Sequence, residues 1–225
     1  LIRELSRQFD LSRLDGVTVA YDYAQALLDL DRGYETTYQL TASDKHVIGI
    51  AMTPSVIRDG TLKSHIVLNA AYVSMLEDSK HEHFGAALHT IAHECAHVEI
   101  THKLDMAFPD FLLRTRHADA RIGYRWQIIL ACWDEYAATM LSAGLGTEPT
   151  EGYEDTFLKS LRDTKRQANE HIKAYRLHGS IDQVLGQVYV EYGEMLKFSA
   201  YHLGNLRGLD RQLPELPRSV EALEG

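Results

Sequence analysis

Hydrophobic and polar positions divide the chain into a mixed first third and a helical remainder. Residues 1–31 show a helical pattern in two pieces, split near residues 14–16. Short segments typical of strands follow at 34–38, 46–52 and 64–69. The dipeptide Asp59-Gly60 predicts a turn before the last of these segments. The first third therefore predicts a helical start and a small sheet of about three strands.

Helical patterns dominate from residue 83 onwards. The predicted helices lie at 84–103, 118–143, 153–177 and 181–203. Pro109, Gly144-Leu145-Gly146 and His178-Gly179 mark the breaks between them. The pattern favours an α+β fold with a domain over 1–146, a helical extension over 147–204 packed on it, and a loosely ordered tail over 205–225.

Composition narrows the class of protein. The 225 residues are 45% hydrophobic and 24% charged, which is typical of a soluble globular protein. A formal charge of -9 argues against a general nucleic-acid or membrane-surface binder. Two cysteines, Cys95 and Cys132, are too few for a disulfide framework, and no apolar run reaches the roughly 18 residues of a membrane span. We therefore expect a cytoplasmic protein with no membrane partner.

The sequence His93-Glu94-Cys95-Ala96-His97 has the HExxH spacing of a zinc site and lies within the predicted helix 84–103. His93 and His97 are about 40° apart around a helix, so both imidazoles can reach one metal ion. Glu94 lies about 60° from His97, which suits a general base acting on a water molecule. Most flanking residues are uncharged, but Glu99 stands where an apolar residue is common. The alternative is a pair of surface histidines on an ordinary helix.

A catalytic zinc site needs a third protein ligand. His102 would lie about 140° from His97 on a continuous helix and would face away. The metzincin spacing requires glycine at position 100 and histidine at 103, where Ile100 and Lys103 stand. His102 and the metzincin position 103 are therefore both excluded as the third ligand.

Glu135 is the better candidate for the third ligand. It lies 38 residues after His97 in an apolar helical segment, where a carboxylate needs a compensating partner such as a cation. The small residues Ala137 and Ala138 would allow close approach of this helix to the HExxH helix. Asp134 is the rival ligand, and an ordinary surface carboxylate is the alternative. Thr139, one turn after Glu135, is a candidate second-shell donor.

Part of the chain resembles a known family of enzymes. Asn69, followed by Thr90-Ile91-Ala92-His93-Glu94-Cys95-Ala96-His97 and then Glu135-Tyr136-Ala137-Ala138, is similar to the ImmA/IrrE group of gluzincin metallopeptidases from bacteria. The resemblance covers about residues 20–145. It implies a zincin-like fold and a soluble zinc peptidase with few targets. It also implies that the substrate is a helix-turn-helix transcriptional repressor, whose cleavage switches on stress or phage-response genes.

Several further residues are candidates without a decided role. The residues considered for stabilising an oxyanion are His102, His117, Tyr136, Tyr189 and Tyr192. Cys132 lies one turn before Glu135, so its thiolate would block an open metal position, although a plain buried cysteine is the simpler reading. Arg162, Arg166 and Lys173 share one helix face. Such a face is usually solvated, and the alternative is a docking or allosteric surface for an acidic protein or single-stranded nucleic acid.

The sequence thus predicts a Zn²⁺-dependent metalloendopeptidase that cleaves a specific protein, with ligands His93, His97 and Glu135 and with Glu94 as the base. The alternative is a non-catalytic helical interaction module whose metal motif is accidental or purely structural. Bound zinc separates the two hypotheses.

Overall fold

The computed structural model describes residues 1–42, 49–113, 115 and 117–224. Two compact units are present: Leu1–Thr115 with Leu141–Glu148 form unit 1, and Arg116–Met140 with Pro149–Gly225 form unit 2. Unit 1 carries the sheet and unit 2 is helical. The predicted α+β class with a mostly helical C-terminal part is confirmed. The predicted domain boundary at residue 146 stays a prediction.

A four-stranded mixed sheet organises unit 1. Its strands are β1 (Leu14–Ala20), β2 (Ala51–Met52), β3 (Ser55–Arg58) and β4 (Thr61–Asn69). The strand β4 pairs in parallel with β1 along one edge and antiparallel with β2 and β3 along the other. Ile66, Val67 and Leu68 of β4 are buried, as expected for a central strand. The predicted strand at 64–69 and the turn at Asp59-Gly60 are confirmed, and both turn residues have positive φ (51° and 71°).

The first 40 residues differ from the sequence prediction. Two helical pieces were expected, the second of them at 21–30. The second piece is confirmed as α2 (Tyr23–Asp29), the first is limited to α1 (Ile2–Leu5), and the unexpected strand β1 lies between them. The predicted strand at 34–38 is wrong, because the described chain there is irregular and pairs with no strand. Of the predicted strand at 46–52, residues 46–48 lie outside the described residues, and only Ala51–Met52 form a strand.

The HExxH segment lies on α4 (Phe84–Ala107), which confirms the predicted helix and extends it by four residues. Ahead of it, Asn69 caps the short helix α3 (Ala70–Val73) by accepting a hydrogen bond from the backbone amide of Ala71, and a 3₁₀ turn (Ser74–Leu76) follows. All residues from Ile91 to Ile100 on α4 are buried, so the motif lies on a helix that is enclosed on every face.

Four helices follow α4 along the chain: α5 (Ala120–Ser142), α6 (Thr150–His178), α7 (Ile181–Gly208) and α8 (Pro217–Glu224). Gly179 adopts the left-handed conformation that ends α6, and the side chain of Ser180 caps the start of α7. Close packing inside unit 2 is clearest at Gly204, where an added Cβ would lie 2.2 Å from the carbonyl oxygen of Tyr136. Glycine at 204 therefore lets α7 lie directly against α5.

The segment after residue 204, expected from the sequence to be a loosely ordered tail, forms helices over much of its length. The helix α7 continues to Gly208, and α8 is held by a buried polar cluster. In that cluster the Ser219 hydroxyl donates to Glu154 at 2.7 Å and lies 3.2 Å from Nε2 of His202. These side-chain hydrogen bonds, which hydropathy alone does not reveal, attach α8 to α6 and α7. Within the described part of the chain, no helix is both long and apolar enough to span a bilayer.

Candidate metal centre

Two imidazoles of α4 form the core of the candidate site. Nε2 of His93 lies 3.0 Å from Nε2 of His97, and the ring planes are 87° apart. Both residues are buried. Two nitrogens that each bind a tetrahedral zinc ion at 2.0–2.1 Å stand about 3.3 Å apart. The two rings therefore already present their nitrogens at nearly the separation that one zinc ion requires.

Glu94 is buried beside this pair, and one described residue hydrogen-bonds its carboxylate. The Thr53 hydroxyl lies 2.6 Å from Oε2 of Glu94 and 3.2 Å from the Glu94 backbone oxygen. No other hydrogen bond or ion pair reaches this carboxylate among the described residues. Thr53 thus holds one carboxylate oxygen, and the other has no hydrogen-bond partner among the described residues.

Glu135 completes a group of ligand-type side chains. The ligand atoms of His93, His97 and Glu135 all lie within 4.8 Å of one another. This is the only such group among the described histidines, cysteines and acidic residues, and it includes neither Asp134 nor Cys132. Two imidazoles and one carboxylate are a donor set used by catalytic zinc, with one position left for water or substrate. The three residues can therefore hold a metal ion.

Other candidates occupy different environments. His102 lies 3.1 Å from Oδ2 of Asp10 and 3.3 Å from the Ser12 hydroxyl. The Thr139 hydroxyl donates to the backbone oxygen of Glu135, at 2.8 Å, rather than to its carboxylate. These contacts give His102 and Thr139 structural partners. A second-shell role for Thr139, and an oxyanion or second-shell role for His102, stay predictions.

The aromatic oxyanion candidates also have structural surroundings. His117 stacks on Trp126 with ring centroids 6.3 Å apart, and Tyr189 stacks on Tyr124 at 5.2 Å. Tyr192 is exposed and Tyr136 is half-buried. No contact singles out one of them as an oxyanion donor, so that choice stays open.

His89, one turn before His93, is a buried histidine with a structural partner. Its Nδ1 donates to the backbone oxygen of Leu145 at 3.0 Å. Burial, with a smaller contribution from His93, lowers the pKa of His89 to about 4, so the ring is neutral at neutral pH. His89 is therefore a neutral residue that joins α4 to the segment after α5.

The cysteines are buried to different degrees. Burial, helped by the charge of Glu94, raises the pKa of the Cys95 thiol to about 12. Cys132 is half-buried, and burial also raises the pKa of its thiol, against the opposing effect of Lys197. Both thiols are therefore protonated at neutral pH, which weakens their ability to bind metal.

Thr53 contacts Glu94 at the candidate site, and sequence reasoning missed it. It follows the two-residue strand β2 and precedes Pro54, so it carries neither a motif nor a periodic pattern. Its only signal in the sequence was a hydroxyl residue at the end of an apolar strand, and this feature is too common to identify a site residue.

Comparison of the chain with family models, curated proteins and solved structures finds no match.

Proposed function

We propose that this protein is a zinc-dependent metallopeptidase. The observation that carries the proposal is the grouping of His93, His97 and Glu135 within 4.8 Å of one another. Glu94, the residue next to His93 on α4, places a carboxylate beside that group. The donor set and the adjacent base together match the requirements of metal-assisted hydrolysis better than those of a structural zinc site, which has four protein ligands.

The chain's own residues account for the proton transfers. Zinc, when bound, supplies a Lewis acid that polarises the scissile carbonyl and favours deprotonation of water. The free oxygen of Glu94 accepts one proton from the attacking water, and Glu94 then delivers it to the leaving amine. The proton count balances, because Glu94 ends the cycle as the carboxylate that it was at the start. Burial of Glu94 excludes bulk water that would compete for this proton.

A specific protein is the proposed substrate. The support is the resemblance of the HExxH helix and of Glu135-Tyr136-Ala137-Ala138 to the ImmA/IrrE metallopeptidases. By that resemblance we propose a helix-turn-helix repressor as the target and a role in bacterial stress or phage response, in the cytoplasm. The resemblance also carries the proposed zincin-like character of the fold.

Metal analysis and one conservative substitution test the proposal. The purified protein is expected to contain about one zinc ion per chain, and to lose it to a chelator together with cleavage of a randomised quenched-fluorescent peptide library. Glu94→Gln is expected to keep the zinc and to abolish cleavage. Glu82→Gln, at an exposed carboxylate just before α4, is the matched control and should behave as wild type.

Two results would contradict the peptidase proposal. A protein without zinc, or with zinc but with equal cleavage by the wild type and Glu94→Gln, is not a peptidase that uses this site. It would instead be a helical interaction module with an accidental or structural metal motif.

A further inference from the structure

The backbone on both sides of Thr53 is fixed by the central strand of the sheet. The Ile50 carbonyl accepts a hydrogen bond from the amide of Asn69 at 2.9 Å, and the Pro54 carbonyl accepts one from the amide of His65 at 2.9 Å. Both donors belong to β4. Pro54 adds a ring that fixes its own φ angle. Thr53 therefore sits on a short, rigid connection between β2 and β3.

The Thr53 side chain bridges this connection to α4. Its hydroxyl donates to Oε2 of Glu94 at 2.6 Å, a distance typical of a hydrogen bond to an ionised carboxylate. The same hydroxyl is 3.2 Å from the Glu94 backbone oxygen, so it lies close to both ends of this residue. The sheet thereby fixes the rotamer of a side chain that belongs to the helix.

We propose that Thr53 is the positioning residue of the general base, holding Oε2 of Glu94 so that Oε1 faces the reacting water. This inference rests on the proposed peptidase function. A glutamate has three rotatable side-chain bonds, and a free carboxylate would sample several orientations at an entropic cost. A bond from a rigid strand connection removes that freedom before substrate arrives.

The reaction itself does not change the Thr53 hydroxyl. Its proton stays on Oγ1 while Oε1 of Glu94 takes and returns the proton of water. Thr53 is therefore distinct from a catalytic residue, and its loss should lower turnover without changing the affinity for metal or substrate.

Isosteric substitution tests the role. Thr53→Val removes the hydroxyl and keeps the shape. On a single peptide selected from the library, we expect kcat to fall roughly 10- to 100-fold while KM and zinc content stay at wild-type values. Thr53→Ser restores the donor and should recover kcat to within about three-fold. The matched control is Thr18→Val, which removes the hydrogen bond between the Thr18 hydroxyl and Nε2 of His65 in the same sheet and should leave kcat unchanged.

A second measurement is independent of turnover. The antisymmetric carboxylate stretch assigned by an infrared difference spectrum of Glu94→Gln should shift in Thr53→Val and not in Thr18→Val. An unshifted band, wild-type kcat in Thr53→Val, or failure of serine to restore kcat overturns the positioning role. By contrast, a wild-type protein that lacks zinc and cleavage overturns the proposed function itself.

Discussion

The backbone amide of Asp10 donates a hydrogen bond to Oε2 of Glu99 at 2.8 Å, across 89 residues of sequence. Lys103 pairs with the other oxygen of the same carboxylate. Glu99 is buried in the middle of α4, where the flank of an HExxH motif usually carries an apolar residue. Its charge therefore has a structural reason: it attaches the N-terminal segment to the motif helix.

Removal of the Glu99 carboxylate should destabilise the fold. Glu99→Ala leaves the Asp10 amide without its partner, and we expect the free energy of unfolding to fall by about 1–3 kcal/mol. Glu99→Gln keeps a carbonyl acceptor and should cost less. Urea unfolding followed by circular dichroism measures both, and a change below about 0.5 kcal/mol in Glu99→Ala would contradict the role.

Alanine substitutions at two glycines with nearly equal φ angles can distinguish the cost of backbone strain from the cost of a steric clash. Gly144 and Gly146 have φ of +80° and +77°, but a Cβ at 146 would lie 2.2 Å from the Gly85 carbonyl oxygen, and one at 144 meets nothing within 4 Å. Gly144→Ala should cost about 1–2 kcal/mol for the left-handed conformation alone. Gly146→Ala should cost about 1–3 kcal/mol more, because α4 must move away. Equal melting temperatures for the two variants would refute this difference.

Acid should weaken the pairing of β1 with β4. Burial raises the pKa of Asp15, but hydrogen bonding to His65 and the charge of Arg58 outweigh it, so the pKa lies below its usual value. Asp15 therefore stabilises the fold above the unfolded-state pKa of about 3.9, and this contribution is lost as the pH falls below about 4. Asp15→Asn should flatten the pH dependence of unfolding in that window. Parallel curves for the variant and the wild type would exclude the effect.

Zinc affinity should distinguish the two neighbouring carboxylates of α5. Glu135→Gln removes an anionic ligand and should weaken zinc binding by more than roughly 100-fold. Asp134→Asn removes an adjacent charge that is absent from the ligand group, so its effect should be small. Competition with a chromophoric chelator measures both affinities. A larger loss in Asp134→Asn would identify Asp134 as the ligand.

The sequence predicted the long helices well, because each has a strong boundary signal. Gly179 and Ser180 separate α6 from α7 at the expected place, and α4 begins at the expected residue. The strand β1 was not predicted, although it begins where the two helical pieces were expected to divide and Val17-Thr18-Val19 is a run of β-branched residues. A strand at the edge of a sheet leaves Val17 and Val19 exposed, which blurs the alternation that normally identifies it.

The candidate site was predictable where one helix determines the geometry. His93 and His97 meet because they lie one turn apart, which places both rings on the same face of α4. Thr53 was not predictable, because its contact with Glu94 depends on where the sheet places a loop 41 residues earlier in the chain. Sequence spacing has no information about such a long-range hydrogen bond.

The parallel pairing of β1 with β4 also means that β1 must wait during synthesis until its partner strand has been made. Asp15 and His65, partners in that pair of strands, are 50 residues apart. A ribosome adding about 5–20 residues per second needs about 2.5 to 10 seconds to make the intervening chain. During that interval β1 has been made but has no strand to pair with, so its backbone hydrogen-bonding groups are unpaired. The nascent chain is therefore most vulnerable to aggregation, and most accessible to chaperones, before the motif helix has been made.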